Sequence, residues 1–186
     1  MADTTALIII DMQKGMGSST LPPRNNPAAE DNMARLVAAW REARQPIVFV
    51  RHISRSATSV FAPGQSGVEF QLRFAPLPHE HVVEKNVPDA LINTGLERWL
   101  HARGIGRVVI VGVSTNNSVE ATARTAGNLG FSTTVVADAT FAFEKQDYAG
   151  ILRSAEQVHH MALANLDGEY AQVCTTEDVL SKLQAG

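Results

Sequence analysis

A three-layer α/β/α domain around a six-stranded, mainly parallel sheet of Rossmann-like type is the fold class this chain predicts, and three observations carry it. Short β-branched runs alternate with amphipathic helical stretches from one end of the chain to the other. Runs such as residues 6–11 (ALIIID) and 108–113 (VVIVGV) are apolar at successive positions, as strands buried under helices on both faces must be. Several of these runs end in a charged or polar residue, and in an open parallel sheet such ends converge on one carboxyl edge.

Taken in order, residues 6–11 read as the first strand, ending in Asp11. Asn26-Pro27 predicts an N-cap with proline at the first helical position. Met33, Leu36, Val37 and Trp40 follow at helical spacing, and Pro46 marks the stop. Residues 47–51 (IVFVR) form the second strand. Residues 53–80 carry Pro, Gly and Ser with little periodicity, which predicts a long binding loop with room only for short helical pieces. Residues 82–85 (VVEK) read as a short third strand ending in Lys85, and residues 94–103 as a helix closed by Gly104.

The fourth strand, residues 108–113, runs through the polar turn STNN into a helix over residues 117–129. Asn117 and Glu120 form a capping-box-like pair there, with Gly130 at the terminal left-handed position. Residues 132–137 (STTVVA) are the fifth strand. Residues 154–166 form a helix opened by Ser154 and Gln157, residues 170–174 an edge strand, and residues 176–183 a terminal helix.

The chain has 186 residues, which fits a single domain over 1–186 able to bury a sizeable core. Its net charge of -3 gives no reason to expect nucleic acid or an anionic membrane as partner. Cys174 is the only cysteine, which excludes an intrachain disulfide and a cysteine-based zinc site. The start of the chain lacks the basic and apolar regions of a signal peptide, and no apolar run approaches the ~20 residues that span a bilayer. A cytoplasmic protein is the expectation.

Asp11 follows four aliphatic residues. It reads either as a solvated strand terminus or as a partly desolvated general base, whose pKa burial raises and a cation lowers. Lys85 is a surface lysine taken alone, and that cation if the two strand ends meet. Ser118, near a helix start, reads as a first-turn filler or as a hydroxyl among unpaired backbone N–H groups that stabilise developing negative charge. A G-x-S-x-G elbow, an HExxH helix, a Walker A sequence and a complete dinucleotide fingerprint are all absent. His79-Glu80-His81 lacks further ligands, and Gly104-Ile105-Gly106 is most simply a turn. No metal and no organic cofactor are expected.

Together, LIIIDMQ, IVFVRHIS, APGQSGVEF, VVEKN, GLERWLHARGIGRVVIVGVSTNNSVEATARTAGNLGF, VVADATFAF and SAEQVHHMALANLDGEYAQV resemble the isochorismatase-like (cysteine hydrolase) family over nearly the whole chain. The resemblance implies a hydrolase, usually a homo-oligomer (dimer or tetramer), with an aspartate, a lysine and a cysteine as its catalytic trio. These positions fall on Asp11, Lys85 and Ser118. In amidase members the aspartate deprotonates the cysteine, which attacks a carbonyl carbon. The resemblance also implies a cis peptide at Val113–Ser114, which would aim the Ser114 N–H beside that of Ser118 at a substrate oxyanion. Gln13, His52, Phe61 and Thr115 are the candidate pocket-lining residues.

Two departures bear on function. Metal-dependent nicotinamidases of the family have an Asp-x-His motif with further histidines, whereas this chain offers only His52 in that region. Serine stands where hydrolytic members have cysteine, and a hydroxyl is far less acidic than a thiol. It reads as the natural residue of a branch that hydrolyses amides or, like true isochorismatases, a vinyl ether through the aspartate alone. Two other readings are a substitution made to trap a complex and the mark of a binding or scaffold protein. The family-like flow of NNSVEATAR favours a natural residue.

Overall fold

The computed structural model describes residues 4–184. Its strands are β1 (Thr5–Ile10), β2 (Ile47–His52), β3 (His81–Lys85), β4 (Arg107–Val113), β5 (Ser132–Phe141), β6 (Lys145–Gln146), β7 (Leu152–Arg153) and β8 (Gln172–Cys174). Its α-helices are α1 (Ala29–Glu42), α2 (Leu96–Ala102), α3 (Glu120–Asn128), α4 (Ala155–Leu166) and α5 (Thr176–Gln184). Six strands form one sheet in the order β3-β2-β1-β4-β5-β8, and every pairing in it is parallel.

Strand alternation divides the core in two. Ala6, Ile8 and Ile10 of β1 pack with Leu96 and Leu100 of α2, Ala123 and Ala126 of α3, and Leu163 and Leu166 of α4. Leu7 and Ile9 face the other way, against Met33, Leu36 and Trp40 of α1 and Val179 of α5. Both faces of β1 are therefore dry, as its unbroken aliphatic run requires.

From β1 the chain winds outward through β2 to β3, then returns to β4 on the other side of β1 and winds out through β5 to β8. The strand order reverses between β1 and β4, and the crevice beyond the carboxyl ends at such a reversal is where open α/β sheets place their ligands. Asp11 leaves β1 and Ser114 leaves β4 at this crevice. Close approach of the two strands requires Gly112, whose φ is +118° and whose added Cβ would lie 2.1 Å from Ile10 O.

Several expected details differ. Asn26 is not the cap of α1, which starts at Ala29 with Ala28 before it and no side-chain cap. Asn26 instead has φ 45° and donates its amide to Ala137 O (2.9 Å) and Thr140 O (2.7 Å). The register of β5 on β4 breaks between Ile110 and Gly112, which leaves residues 136–139 of β5 without a partner on β4, so the Ala137 carbonyl needs another donor. Past that break β5 resumes pairing and ends at Phe141, beyond the expected residue 137.

The helix expected from Asn117 divides into a π-helical turn, Thr115–Val119, and α3. Its capping pair does not form, because the Glu120 carboxylate accepts from Arg124 and Asn165 instead. By contrast the Ser154–Gln157 capping box of α4 is present. The β6–β7 hairpin, with Tyr148 fully exposed near its tip, is an addition. Among the described residues no helix is long and apolar enough to cross a membrane.

Candidate active site

Three side chains from three strand ends meet inside the protein. Asp11 takes a left-handed backbone (φ 54°), with its N–H bonded to Val50 O of β2 (2.9 Å). That turn directs the carboxyl across the crevice. Lys85, the last residue of β3, is wholly buried at its side chain and donates to Asp11 Oδ2 at 2.7 Å. The same ammonium lies 3.3 Å from Ser118 Oγ, in the π-helical turn after β4. One cation thus bridges a carboxylate and a hydroxyl, all three nearly excluded from solvent.

Burial pushes the Asp11 carboxyl above the ordinary carboxylate range. The Lys85 charge and hydrogen bond oppose this, with smaller help from Ser118 and His52, but do not cancel it. Asp11 Oδ1 is one of two buried side-chain polar atoms without a hydrogen-bond partner among the described residues. A desolvated carboxyl with one committed and one open oxygen is equipped to take up or give back a proton.

The pocket-lining candidates separate in space. Gln13 is wholly buried and braces the site: its amide donates to His52 O (2.9 Å) and Val68 O (3.0 Å), and its oxygen accepts from His52 N–H (2.8 Å). Both of its N–H donors are committed to backbone. His52 lies close enough to Lys85 and Asp11 to feel their charges. Burial and then the Lys85 charge hold it below the usual histidine range, hence neutral at pH 7. The ring of Phe61 meets it edge-on, with the ring centres 6.3 Å apart. Thr115 is buried with its hydroxyl turned to His159 Nδ1 on α4 (2.8 Å).

The Val113–Ser114 peptide is cis. Ser114 O accepts the N–H groups of Asn117 (3.0 Å) and Val119 (3.2 Å), whereas the Ser114 N–H donates in none of the turn, loop or cap bonds of the described residues. A depression lined by Ile53, Ser54, Arg55, Pro63, Lys85 and Asn86 opens at the same edge of the sheet. A groove lined by Thr5, Trp40, Arg107 and Lys182 lies at the opposite end of the strands, remote from this chemistry. No group of three or more His, Cys, Asp or Glu side chains among the described residues is placed to hold a metal ion.

His159 is the residue near the site that sequence reading passed over. Its signal was its place on the buried stripe of α4, with Ala155, Ala162 and Leu166 at helical spacing. A polar side chain on such a stripe needs a partner, and Thr115 supplies it.

Known proteins repeat this architecture. The isochorismatase domain model matches residues 5–178. The uncharacterized isochorismatase family protein YrdC of Bacillus subtilis is 34% identical over 181 residues, covering 97% of each chain. A crystal structure assigned to the isochorismatase family, from Chromobacterium violaceum, superposes with a TM-score of 0.96 at 45% identity, covering 100% of this chain and 96% of that one. Nicotinamidase 3 of Arabidopsis thaliana is 29% identical over 174 residues, covering 87% of this chain and 79% of its own. With the strand-end trio, the crevice between β1 and β4 and these matches all on one chain, the protein belongs to the isochorismatase family of hydrolases.

Proposed function

We propose that this hydrolase cleaves an amide-type C–N bond in a small molecule, with Asp11 as general base, Lys85 as its electrostatic partner and Ser118 as nucleophile. The observation that carries this reading is the buried Lys85 ammonium between Asp11 Oδ2 and Ser118 Oγ, with Asp11 Oδ1 unpartnered. Nicotinamidase 3, an amidase by name, supports the choice of bond.

A serine needs more help than a thiol, and two features supply it. Burial makes Asp11 a stronger base than an exposed carboxylate. The Lys85 ammonium donates to Oγ and stabilises the negative charge that forms there. In the first step Asp11 takes the hydroxyl proton while Oγ bonds to the carbonyl carbon, and the carbonyl π pair moves onto its oxygen. The Ser114 and Ser118 N–H groups are proposed to receive that oxyanion, and one such donor is worth ~2.7–4 kcal/mol in other enzymes. The C–N bond then breaks as the amine leaves with the proton from Asp11. Water, deprotonated by Asp11, finally attacks the acyl–Ser118 ester; the C–Oγ bond breaks, the carboxylic acid leaves, and the proton passes from Asp11 back to Oγ.

A second reading is favoured by the hydroxyl at 118 together with the raised pKa of Asp11. There Asp11 would protonate the carbon of an isochorismate-type vinyl ether, water would add to the resulting oxocarbenium carbon, and the ether C–O bond would break. Turnover of primary amides and of isochorismate by the native protein, Ser118→Ala and Ser118→Cys separates the two. On the amide reading, Ser118→Ala loses amide hydrolysis by roughly 10³-fold or more, as loss of a nucleophile does elsewhere, and Ser118→Cys exceeds the native rate. Isochorismate cleavage indifferent to Ser118→Ala, with no amide turnover, selects the vinyl-ether route instead.

A further inference from the structure

The turn that presents Ser118 is held from outside by a group that the hydrolytic steps do not use. Thr115, the first residue of the π-helical turn Thr115–Val119, is completely buried, and its hydroxyl lies 2.8 Å from His159 Nδ1. His159 is itself buried on α4. Its other nitrogen, Nε2, sits 3.4 Å from Asn26 Nδ2, and both hydrogens of that amide go to Ala137 O and Thr140 O. Asn26 therefore has no hydrogen left for Nε2, and in the tautomer that carries its proton on Nε2, Nδ1 is the acceptor for the Thr115 O–H. A contiguous run of polar contacts thus leads from β5, through Asn26 and His159, to the first residue of the turn.

We propose that His159 is a positioning residue: its imidazole, as acceptor of the Thr115 hydroxyl, sets the pitch of the turn and so the place of the 118 side chain beside Lys85. The assignment rests on the reading of position 118 as a nucleophile seat. Only Asn116 and Asn117 separate Thr115 from Ser118, so a slip at the first residue displaces the Oγ–Nζ contact of 3.3 Å. With the Thr115 hydroxyl unpaired in a buried site, the turn would have to shift to find another partner.

The test needs no substrate. Ser118→Cys is combined with Cys174→Ser, which removes the other thiol, and the thiol at 118 is followed by iodoacetamide alkylation and by thiolate ultraviolet absorbance against pH. In this background Thr115→Val and His159→Leu are each expected to slow alkylation about tenfold, within the range for a lost buried hydrogen bond. The double variant should be no slower than either single one, because both remove the same link. His159→Asn, whose side-chain oxygen can replace Nδ1 as acceptor, should recover most of the rate. Melting curves of each variant are recorded alongside.

A parent thiol no more reactive than free cysteine would overturn the nucleophile-seat reading, and the inference with it. A reactive parent whose rate is unchanged by Thr115→Val and His159→Leu would overturn the positioning role alone. Slowing that follows melting temperature and is not recovered by His159→Asn would also contradict it.

Discussion

Asp11→Asn lowers turnover by at least about 10²-fold, the lower end of what a general acid or base contributes. The substitution is clean at the backbone, because asparagine tolerates the left-handed φ of 54° better than most residues. The carboxamide cannot take a proton from Ser118 Oγ, and it replaces the negative partner of Lys85 with a neutral group. A variant as active as the native protein would remove Asp11 from the chemistry. The pH profile assigns its role by sign. As a base, Asp11 must be ionised, so kcat/KM rises with pH through its raised pKa, above the ordinary carboxylate range. As the acid of a vinyl-ether route it must be protonated, and kcat/KM falls with pH through the same region.

Lys85→Met removes the cation and leaves its carboxylate buried. Breaking a buried ion pair from one side costs about 3–5 kcal/mol in other proteins, and Asp11 can relieve part of it by taking up a proton. A loss of about 3 kcal/mol is the expectation, or roughly 6–12 °C in Tm for a chain of this size. Because burial holds the folded-state pKa of Asp11 above the ordinary carboxylate value, its favourable contribution to stability is fully present below that ordinary value. It is lost as pH rises through the folded-state pKa. Without Lys85 the folded-state pKa rises further, so the penalty in the variant should grow with pH, and the base should be protonated near neutrality. Activity at pH 7 is expected to fall at least about as far as in Asp11→Asn. Equal stability of the two proteins across pH, measured by thermal melting, would contradict the buried pairing.

What could be read from the sequence follows from which interactions are local. Strand and helix identities along β1, α1, β2, β4 and α4 depend on periodicity and turn residues, and these were visible. So was the convergence of Asp11, Lys85 and position 118, since parallel strands place their carboxyl ends at one edge. The expected caps at Asn26 and Asn117 failed because long-range partners competed with local ones. Asn26 serves carbonyls of β5 more than a hundred residues away, and Glu120 is taken by Arg124 and Asn165. Gln13 and Thr115 were legible as residues near the site, but not their partners: Gln13 braces backbone and Thr115 faces His159. The reversal of strand order between β1 and β4, which puts Asp11 and Ser118 at one crevice, is a property of topology that no local pattern encodes.

In the proposed mechanism Ser118 attacks with Asp11 as its base and Lys85 beside it. Brief treatment with 4-nitrophenyl acetate, followed by acid quenching and peptide mass mapping, tests it most directly. One acetyl group is expected on the peptide carrying Ser118 in the native protein. None is expected on that residue in Asp11→Asn, and none on that peptide in Ser118→Ala. Acetylation of Ser118 at the native rate in Asp11→Asn, or amide turnover that persists in Ser118→Ala, would contradict it.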